Sequence, residues 1–456
     1  MINVLSCTVL SIDQSFLSEF RKIENGFFTD INPDVLKVLI NNKFVYESMD
    51  EEKDLISNAY KKYLMIQDNM PLTNFIFLTY DCNLRCSYCC YRYLNRLTPV
   101  MNKDYLDNLF GTMKSIQDRK KKKNIKIVLS GGEPFLIENQ NSLEYYFKKL
   151  DEFIKEERDK GCKITSSIFT NATNIVVFEN FIKDRKNLID LVYVTLNGTK
   201  DIHDKDRKKK NGIEGSYDDT IAGVNKLLEL RIPTWIVANV SNETIYKLPM
   251  LSQLVKEKGW KEDKCFGGIY ISRIKDHKKK DKKAISELDM IQIIIKMVRE
   301  NKINITDFNF GDLRLLKVMI DFVQNSKLSD IERQYSYQFS GCNNRSNQYS
   351  FSVDGKIYPC APSMGISEYA TGEFFPKIDI SKLDQCNWLD QSLNNIPKCN
   401  SCKVVFLCGG GCAFEAIEKN KDVKDRICVN ADKILEIFLD AMDENIKIIH
   451  NDVLYK

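Results

Sequence analysis

Three cysteines stand close together in the first part of the chain, at Cys82, Cys86 and Cys89. Three residues separate the first pair and two separate the second, so the three thiolates can bind one face of an iron–sulfur cubane. The fourth iron would then have no protein ligand, and chemistry can take place there. A zinc site is the alternative, but it would need a fourth Cys or His at similar spacing. Cys90 is adjacent in sequence and is not expected to converge on the same cluster.

Seven further cysteines form a second group near the end of the chain. They follow the pattern C-x12-G-x4-C, then C-x2-C-x5-C-x3-C, and then a single C. This part is rich in Cys, Gly, Asn and Pro and cannot build a large apolar core, so bound metal clusters are expected to hold it together. A zinc ribbon is the alternative interpretation. The seven residues are Cys342, Cys360, Cys399, Cys402, Cys408, Cys412 and Cys428.

The composition fits a protein of the reducing cytoplasm, where clustered thiols indicate metal ligands rather than disulfides. The chain has 456 residues, 15 cysteines and a formal net charge of +4. We find no signal peptide and no run of about 20 apolar residues, so we expect a soluble, cytoplasmic protein without a membrane partner. The balanced charge gives no reason to expect nucleic acid. Basic runs at 119–123, 205–210 and 278–283 are expected to be solvated loops, or a surface for an acidic peptide.

The elements that must position the first cysteines follow a repeating pattern from residue 74 onward. Compact apolar runs alternate with longer amphipathic stretches, which predicts strands and helices in alternation. Such an order implies a parallel sheet, closed or half closed into a barrel, with the active site at the carboxyl ends of the strands. The predicted strands are 75–79, 125–129, 164–169, 191–196, 234–240 and 268–274. The predicted helices are 103–118, 143–157, 177–183, 218–230, 247–258 and 285–300.

The carboxyl ends of the second, third and fourth predicted strands each carry a polar motif. The second ends in Ser-Gly-Gly-Glu-Pro at 130–134, and the third ends in Thr-Asn-Ala-Thr at 170–173. The fourth ends in Thr-Leu-Asn-Gly at 195–198, and His203, Asp204 and Arg207 follow it. Because parallel strands end at one edge of the sheet, these motifs are expected near the first cysteines.

The CxxxCxxC run, with Tyr88 before its last cysteine, resembles the signature of the radical S-adenosylmethionine (SAM) family. The resemblance extends over roughly residues 74–275, and it implies a partial (β/α)6 TIM-like barrel. In that family the open iron of a [4Fe-4S] cluster binds SAM. Reductive cleavage of SAM then gives a 5′-deoxyadenosyl radical, which abstracts hydrogen from a substrate carbon.

The resemblance also implies a set of SAM contacts. Glu133 of the GGEP motif would accept a hydrogen bond from the SAM ammonium group, and Arg207 would pair with its carboxylate. Asn197 replaces the usual Asp, which puts a charge-dependent role there in doubt, and His203 is expected to be a local cap or a satisfied surface histidine. Ile271 on the sixth strand would offer backbone contacts to adenine. The full predicted set is Tyr88, Gly131, Gly132, Glu133, Asn171, Thr195, Arg207 and Ile271.

The second group of cysteines is similar to the SPASM module, which carries two auxiliary clusters, and three [4Fe-4S] clusters are implied in total. Carried over from the family, one auxiliary set is Cys399, Cys402, Cys408 and Cys428, and the other is Cys342, Cys360 and Cys412. Relatives that fully ligate the second set have one more cysteine between its first two. An open iron is therefore predicted there, unless Cys386 fills it. A substrate thiolate at that iron would suit thioether formation. No general base can be identified.

Three branches of the family compete for the function. Sulfatase-maturating enzymes have an Asp directly after the second module cysteine, whereas Ala361 and Pro362 follow Cys360 here. Peptide maturases carry a leader-binding module that adds an extended peptide as a strand, and residues 1–70 have a suitable size. The expected function is therefore thioether crosslinking of a ribosomal precursor peptide with a leader, with flavodoxin or ferredoxin as the reductant. The third branch contains SPASM enzymes that do not act on peptides. Epimerisation, carbon–carbon crosslinking, a sulfatase-maturating role and a redox carrier without catalysis are the alternatives.

The predicted parts follow from these patterns. They are a leader-binding module at 1–70, the radical SAM barrel at 71–305, a linker at 306–341, the SPASM domain at 342–430 and a C-terminal helix at 431–456. Cysteines outside the clusters are expected to be mostly buried small hydrophobes; they are Cys7, Cys90, Cys162 and Cys265.

Overall fold

The structure is a computed structural model, and it describes most of the chain. The described residues are 2–4, 8–9, 14–24, 31–46, 48–93, 100–275, 283–311, 313, 315–319, 337–341, 347–383, 393, 396–399 and 401–443.

A ten-stranded sheet is the centre of the fold, and six parallel strands in chain order form its middle. All six predicted strands are present, with ends shifted by a few residues. Their central residues are buried on both faces, as in β4, where Ile127, Val128 and Leu129 are buried in succession. The six strands are β3 (Leu72–Phe77), β4 (Asn124–Ser130), β5 (Lys163–Thr170), β6 (Leu191–Thr195), β7 (Thr234–Val240) and β8 (Phe266–Arg273).

Helices connect these strands, which confirms the α/β class with a predominantly parallel sheet. The helix at 200–206 was not among the predicted ones. The helices of this region are α4 (Lys103–Lys120), α5 (Gln140–Asp159), α6 (Glu179–Arg185), α7 (Lys200–Asp206), α8 (Tyr217–Glu229), α9 (Leu248–Glu257) and α10 (Glu287–Arg299).

Local signals explain where these helices begin and how they pack. The side chain of Asn102 accepts a hydrogen bond from the Tyr105 N–H at 3.2 Å and so caps α4. The rings of Phe110 on α4 and Phe153 on α5 lie 5.9 Å apart in the core. The two helices thus cover one face of the sheet together.

The N-terminal part is a small α+β unit. It contains the antiparallel pair β1 (Ile2–Asn3) and β2 (Thr8–Val9), followed by α1 (Gln14–Glu24), α2 (Pro33–Asn41) and α3 (Met49–Asn69). The rings of Tyr60 and Tyr63 on α3 lie 5.1 Å and 5.5 Å from the ring of Phe339. The long helix α3 therefore packs against the segment that leads into the second cysteine group.

The C-terminal part extends the same sheet. β10 (Gln348–Phe351) pairs in parallel with β3, and β11 (Lys356–Tyr358) and β12 (Gly372–Glu373) continue antiparallel beyond it. On the opposite edge, β9 (Phe308–Asn309) pairs with β8. Three helices follow: α11 (Val405–Cys408), α12 (Ala413–Asn420) and α13 (Ala431–Asp443). Within the described part of the chain, none of the helices has the length and apolarity that a bilayer crossing would require.

Candidate functional site

A cavity of about 350 Å³ lies at the carboxyl ends of the parallel strands, where the sequence predicts the site. Cys82, Cys86 and Cys89, on the loop after β3, line it together. Most of the other predicted contacts line it as well, from the cysteine loop, the ends of β4, β5 and β6, and the end of the helix at 200–206. These residues are Tyr88, Gly131, Gly132, Asn171, Thr195 and Arg207.

The cysteine loop is held by backbone pairing with residues 206–210, which we call the latch segment. Arg85 N–H donates to the Lys208 carbonyl at 2.7 Å, and Lys210 N–H donates to the Asn83 carbonyl at 2.9 Å. The Lys210 ammonium group also pairs with Asp81 at 2.9 Å. The basic run at 205–210 is therefore not simply a solvated loop. Backbone groups of half of its residues form hydrogen bonds with the backbone of the cysteine loop.

The two glycines of the GGEP motif are needed for contact with the cysteine loop itself. A Cβ atom on Gly132 would lie 1.8 Å from the carbonyl oxygen of Asp81, and Gly131 has a positive φ of 127°. The Glu133 N–H donates to that same Asp81 carbonyl at 2.8 Å. The second strand end therefore packs directly beneath the loop that carries Cys82.

Glu133 is buried and lies between the second and third strand ends. Its carboxylate accepts hydrogen bonds from Thr170 Oγ1 at 2.6 Å and from the Asn171 N–H at 2.7 Å. Burial raises the pKa of Glu133, and these two hydrogen bonds oppose that shift. The carboxylate thus ties the strand ends together, and its predicted hydrogen bond with a SAM ammonium group stays a prediction.

Asn171 connects the third strand end to the cysteine loop. Its Nδ2 donates to Asn83 Oδ1 at 2.8 Å and lies 3.7 Å from Cys82 Sγ. The next residue, Ala172, has a φ of 63°, a left-handed conformation that glycine adopts more readily.

Arg207 and Tyr88 form the polar wall beside the cysteines. Arg207 Nη1 donates to Tyr88 Oη at 3.0 Å, and Asn197 Nδ2 donates to the same oxygen at 2.9 Å. Burial raises the pKa of Tyr88 to about 12, although Arg207 opposes the shift, so the phenol stays neutral and can accept both bonds. Burial alone would lower the pKa of Arg207, but the neighbouring Cys86 and Tyr88 outweigh this effect and raise the pKa above its usual value. The guanidinium therefore stays charged.

The predicted cofactors fit these residues. Arg207 is 5% exposed and lines the cavity, and its buried Nε has no hydrogen-bond partner among the described residues, so an anionic group such as the SAM carboxylate would satisfy it. Burial, followed by repulsion from Glu133, raises the pKa of Cys82 to about 12, so its thiolate needs a cation such as iron. Within the described ranges no three His, Cys, Asp or Glu side chains converge on one metal ion. That is expected where each thiolate would bind a different iron of a cubane.

His203 is a satisfied core histidine rather than a ligand. Its side chain is fully buried, and Nε2 shares a hydrogen bond with Ser216 Oγ at 3.1 Å. Burial, and then the charge of Arg207, lowers its pKa to about 2, so the ring is neutral. This confirms the prediction of a satisfied histidine, although the residue is in the core and not on the surface.

Four cysteines of the second group lie close to one another, as the predicted auxiliary set requires. Burial raises the pKa of Cys399, and the neighbouring thiols of Cys408, Cys402 and Cys428 raise it further. Burial raises the pKa of Cys402 as well, with Cys408 and Cys428 adding to the shift. Mutual repulsion of this kind is what a bound cation would relieve, so these four residues would hold an auxiliary cluster.

Cys360 and Cys412 form the described part of the other predicted set. Both pack against the small core formed by Ala413 and Phe414 at the start of α12. Cys342 and Cys386 lie outside the described residues. The preceding residue Gly341 approaches Gly411 so closely that a Cβ atom there would lie 1.8 Å from the Gly411 carbonyl oxygen.

The sequence patterns did not lead us to predict several residues of the cavity wall. Asn239, Ser272 and Arg273 line it from the ends of β7 and β8, and the rule that located the other strand-end motifs would have found them. Arg273 also pairs with Glu415 of α12 at 3.6 Å. The side chain of Ile271 is fully buried in the core, so only its backbone could face a ligand.

Other lining residues come from outside the predicted contacts, and no local signal marked them. Tyr91 and Pro362 line the cavity, and so does Cys90, which the sequence placed among buried structural cysteines. Cys162, by contrast, is buried as expected.

Comparison with known proteins identifies the barrel. The model of the radical SAM superfamily matches residues 76–245, from β3 to the segment after β7. The chain contains a radical SAM domain. This domain includes the three cavity cysteines, the GGEP motif and Arg207, and it implies a [4Fe-4S] cluster and SAM as cofactors.

Two relatives that match most of this chain carry the same name. The cysteine-type anaerobic sulfatase-maturating enzyme of Clostridium novyi is 24% identical over 375 residues, which are 80% of this chain and 92% of that protein. The enzyme of the same name from Clostridium perfringens is 25% identical over 348 residues, which are 73% of this chain and 85% of that protein.

Solved structures share the fold. The structure of anSMEcpe with bound AdoMet and the Kp18Cys peptide has a TM-score of 0.61 at 20% identity, and the match covers 83% of this chain and 99% of that one. Streptococcus suis SuiB, bound to its precursor peptide SuiA, has a TM-score of 0.53 at 18% identity. That match covers 91% of this chain and 88% of SuiB. The radical SAM domain and the cysteine-rich C-terminal part therefore lie in an architecture that is known from solved proteins.

Proposed function

We propose that this chain is a radical SAM enzyme that modifies a ribosomally synthesised precursor peptide by joining a cysteine sulfur to a carbon atom in a thioether. One observation carries the proposal. Pro362, two residues after Cys360, lines the same cavity as Cys82, Cys86 and Cys89. A sulfur held beside Cys360 would therefore lie close to the cavity that the first three cysteines line.

The residues of the chain supply binding and shielding. A [4Fe-4S] cluster and SAM, when bound, supply a 5′-deoxyadenosyl radical that removes a hydrogen atom from carbon. Arg207 is placed to bind the SAM carboxylate, and the neutral Tyr88 holds its guanidinium. Apolar groups in the lining of the cavity, including Phe169 and Ile274, would restrict water at the reacting carbon.

The balance of the reaction explains the use of the second cysteine group. Thioether formation removes two hydrogens from the peptide: a hydrogen atom from carbon, and a proton plus an electron from sulfur. The electron needs an acceptor next to the sulfur. Cys360 and Cys412 pack together on the small core of α12, and the sequence predicts a redox cluster at their set.

A precursor peptide as the substrate is supported by the N-terminal part. The match with SuiB, whose structure contains a precursor peptide, covers 91% of this chain, whereas the match with anSMEcpe covers 83%. A small two-stranded sheet, such as β1 and β2, suits an extended leader that adds one strand. A cytoplasmic flavodoxin or ferredoxin would deliver the electrons.

Sulfatase maturation is a second candidate, because the relatives of the whole chain carry that name. The residue after Cys360 argues against it. The enzymes of that branch have an Asp at this position, and this chain has Ala361, whose side chain cannot act as a base. The candidate thus lacks its proton acceptor.

Mass spectrometry separates the two functions. The anaerobically reconstituted enzyme is incubated with SAM, dithionite and a cysteine-containing peptide encoded next to its gene, and in parallel with a cysteine-containing sulfatase peptide. We expect the precursor peptide to lose two hydrogens for each thioether, and a peptide with that cysteine changed to alanine to stay unmodified. Conversion of the sulfatase peptide to an aldehyde, with no change in the precursor, would contradict the proposal.

A further inference from the structure

Behind the cysteine loop, three polar side chains form a network that the proposed reaction does not use. Ser87 lies between Cys86 and Cys89, and its N–H donates to the Asp206 carbonyl at 2.9 Å. Its Oγ donates to Asp206 Oδ1 at 2.7 Å. Lys283 completes the network: its Nζ lies 2.9 Å from Ser87 Oγ and also pairs with Asp206 Oδ1.

The network is largely shielded from solvent. Asp206 is 6% exposed, and the Lys283 side chain is 27% exposed. The described residues that line the 350 Å³ cavity include Cys86 and Tyr88 but none of the three members of this network. Substrate and SAM would therefore meet the front of the loop, while the charge pair supports its back.

Such a pair can act on the cluster in two ways. It fixes the loop, because Ser87 is bonded through both its backbone and its side chain. It also places two opposite charges one residue from a thiolate ligand, in a region where water screens them poorly. The potential of an iron–sulfur cluster depends on nearby charge and hydrogen bonding, so the balance of this pair matters.

We infer that Lys283 and Asp206 are positioning residues, and that each of their two opposite charges shifts the reduction potential of the cluster held by Cys82, Cys86 and Cys89 by an amount that the other charge offsets. The inference rests on the assignment of these cysteines as cluster ligands. Other charges around the loop have their own partners: Lys210 pairs with Asp81, and Arg207 donates to Tyr88. Removing one member of the Lys283–Asp206 pair therefore changes the net charge behind the loop by one unit.

The test compares four variants of the full-length holoenzyme. They are Lys283→Met, Asp206→Asn, the double variant of these two, and Lys205→Met as the control. Lys205 precedes Asp206 and pairs with Glu243 at 3.0 Å, but both partners are more than 60% exposed (63% and 62%), so this pair is screened by solvent. Iron content is measured first. The midpoint potential is then followed by electron paramagnetic resonance, and the signal that SAM perturbs identifies this cluster among the three.

We expect the two single variants to shift the midpoint potential in opposite directions, and the two shifts to cancel in the double variant. In Lys283→Met the buried carboxylate disfavours the added electron, so the ratio of reduced to oxidised cluster at the parent midpoint falls roughly tenfold, the scale of one charge-assisted hydrogen bond. In Asp206→Asn the ratio rises, and the double variant and Lys205→Met stay near the parent.

Three results would overturn the inference. Potentials that all equal the parent value would remove the electrostatic role. Single variants that shift in the same direction, or a double variant that loses more iron than either, would leave only a structural role. A parent enzyme without any signal that responds to SAM would instead refute the assignment of the three cysteines, and the proposed function with it.

Discussion

Arg207 has a buried guanidinium group that lines the reaction cavity and keeps one nitrogen, Nε, for a ligand. We predict that Arg207→Met weakens SAM binding by roughly tenfold to a hundredfold, because a charge-assisted hydrogen bond contributes about 1.5–3 kcal/mol. Anaerobic equilibrium binding of SAM to the reconstituted enzyme measures this. Tyr88→Phe, which removes only the oxygen that holds Arg207, should weaken binding less. Unchanged affinity in Arg207→Met would contradict the assignment.

His203 gives the fold a defined acid sensitivity. Its pKa in the folded chain is lowered from 6.5 to about 2, so below about pH 6.5 the unfolded chain binds a proton that the folded chain does not. Stability is therefore lost as the pH falls below that value. Between about pH 7.5 and pH 5.5 the free energy of unfolding should fall by about 1.4 kcal/mol through this residue.

Urea unfolding at the two pH values, for the parent and for His203→Gln, checks this. The glutamine variant can keep a hydrogen bond to Ser216 but has no proton to bind, so its loss on acidification should be smaller by that amount. Equal losses in the two proteins would show that the buried ring does not govern this range.

At the residue scale, the positions of site residues could be predicted where a sequence motif follows the end of a predicted strand. Cys82, Gly132 and Arg207 lie where the pattern predicts. The detailed partners could not be predicted: Glu133 is bonded by neighbouring strand ends, and these bonds depend on side-chain packing across strands. Ile271 lies on the predicted strand, but successive side chains of a strand point to opposite faces of the sheet. This alternation determines which of the residues beside Ile271 face the cavity.

At the scale of elements, the close contact between the end of β4 and the cysteine loop leads to a prediction about glycine. Gly132→Ala would place a methyl group 1.8 Å from the Asp81 carbonyl oxygen. The loop must then move, so we expect a loss of stability of up to about 3 kcal/mol together with a lower iron content.

Gly111→Ala is the matched control. Gly111 lies inside α4, and no atom lies within 4 Å of the position of its added Cβ. This variant should gain up to about 1 kcal/mol, because alanine favours the helix. Thermal unfolding and iron analysis of the two variants measure both effects. If Gly132→Ala keeps the stability and iron of the parent, the close packing described for the loop is wrong.

The elements themselves were largely predictable, because long apolar runs and amphipathic stretches leave a clear period. The short helix α7 and the latch segment were not. The latch is rich in lysine and has no strand pattern, and it takes an extended pairing only because the backbone of the cysteine loop offers it partners. Tertiary contact thus determines its structure rather than local propensity.

At the scale of the whole molecule, distant parts of the chain meet around the cysteines. β10 joins the sheet beside β3, although more than 250 residues separate them. The aromatic rings of Tyr63, Phe339 and Phe406 connect α3 with the second cysteine group. These contacts leave no local signal in the sequence, because each depends on two faces that are brought together only by folding.

This arrangement places the radical SAM cavity and the second cysteine group in one framework. The N-terminal helix α3 shares a hydrophobic cluster with Phe339, which lies inside the predicted linker, and with Leu393, which lies beyond it. A peptide bound by the N-terminal part, as we propose, would therefore be held by an element that packs against the segment leading into the second cysteine group. The central claim is that Cys82, Cys86 and Cys89 make this chain an enzyme that cleaves SAM.

The most direct test is the release of 5′-deoxyadenosine, measured by chromatography after anaerobic incubation with SAM and dithionite. We predict that the iron-loaded parent releases it, and that a variant with alanine at all three positions releases none while the second cysteine group still binds iron. No release from the loaded parent, or equal release from the variant, would contradict the account.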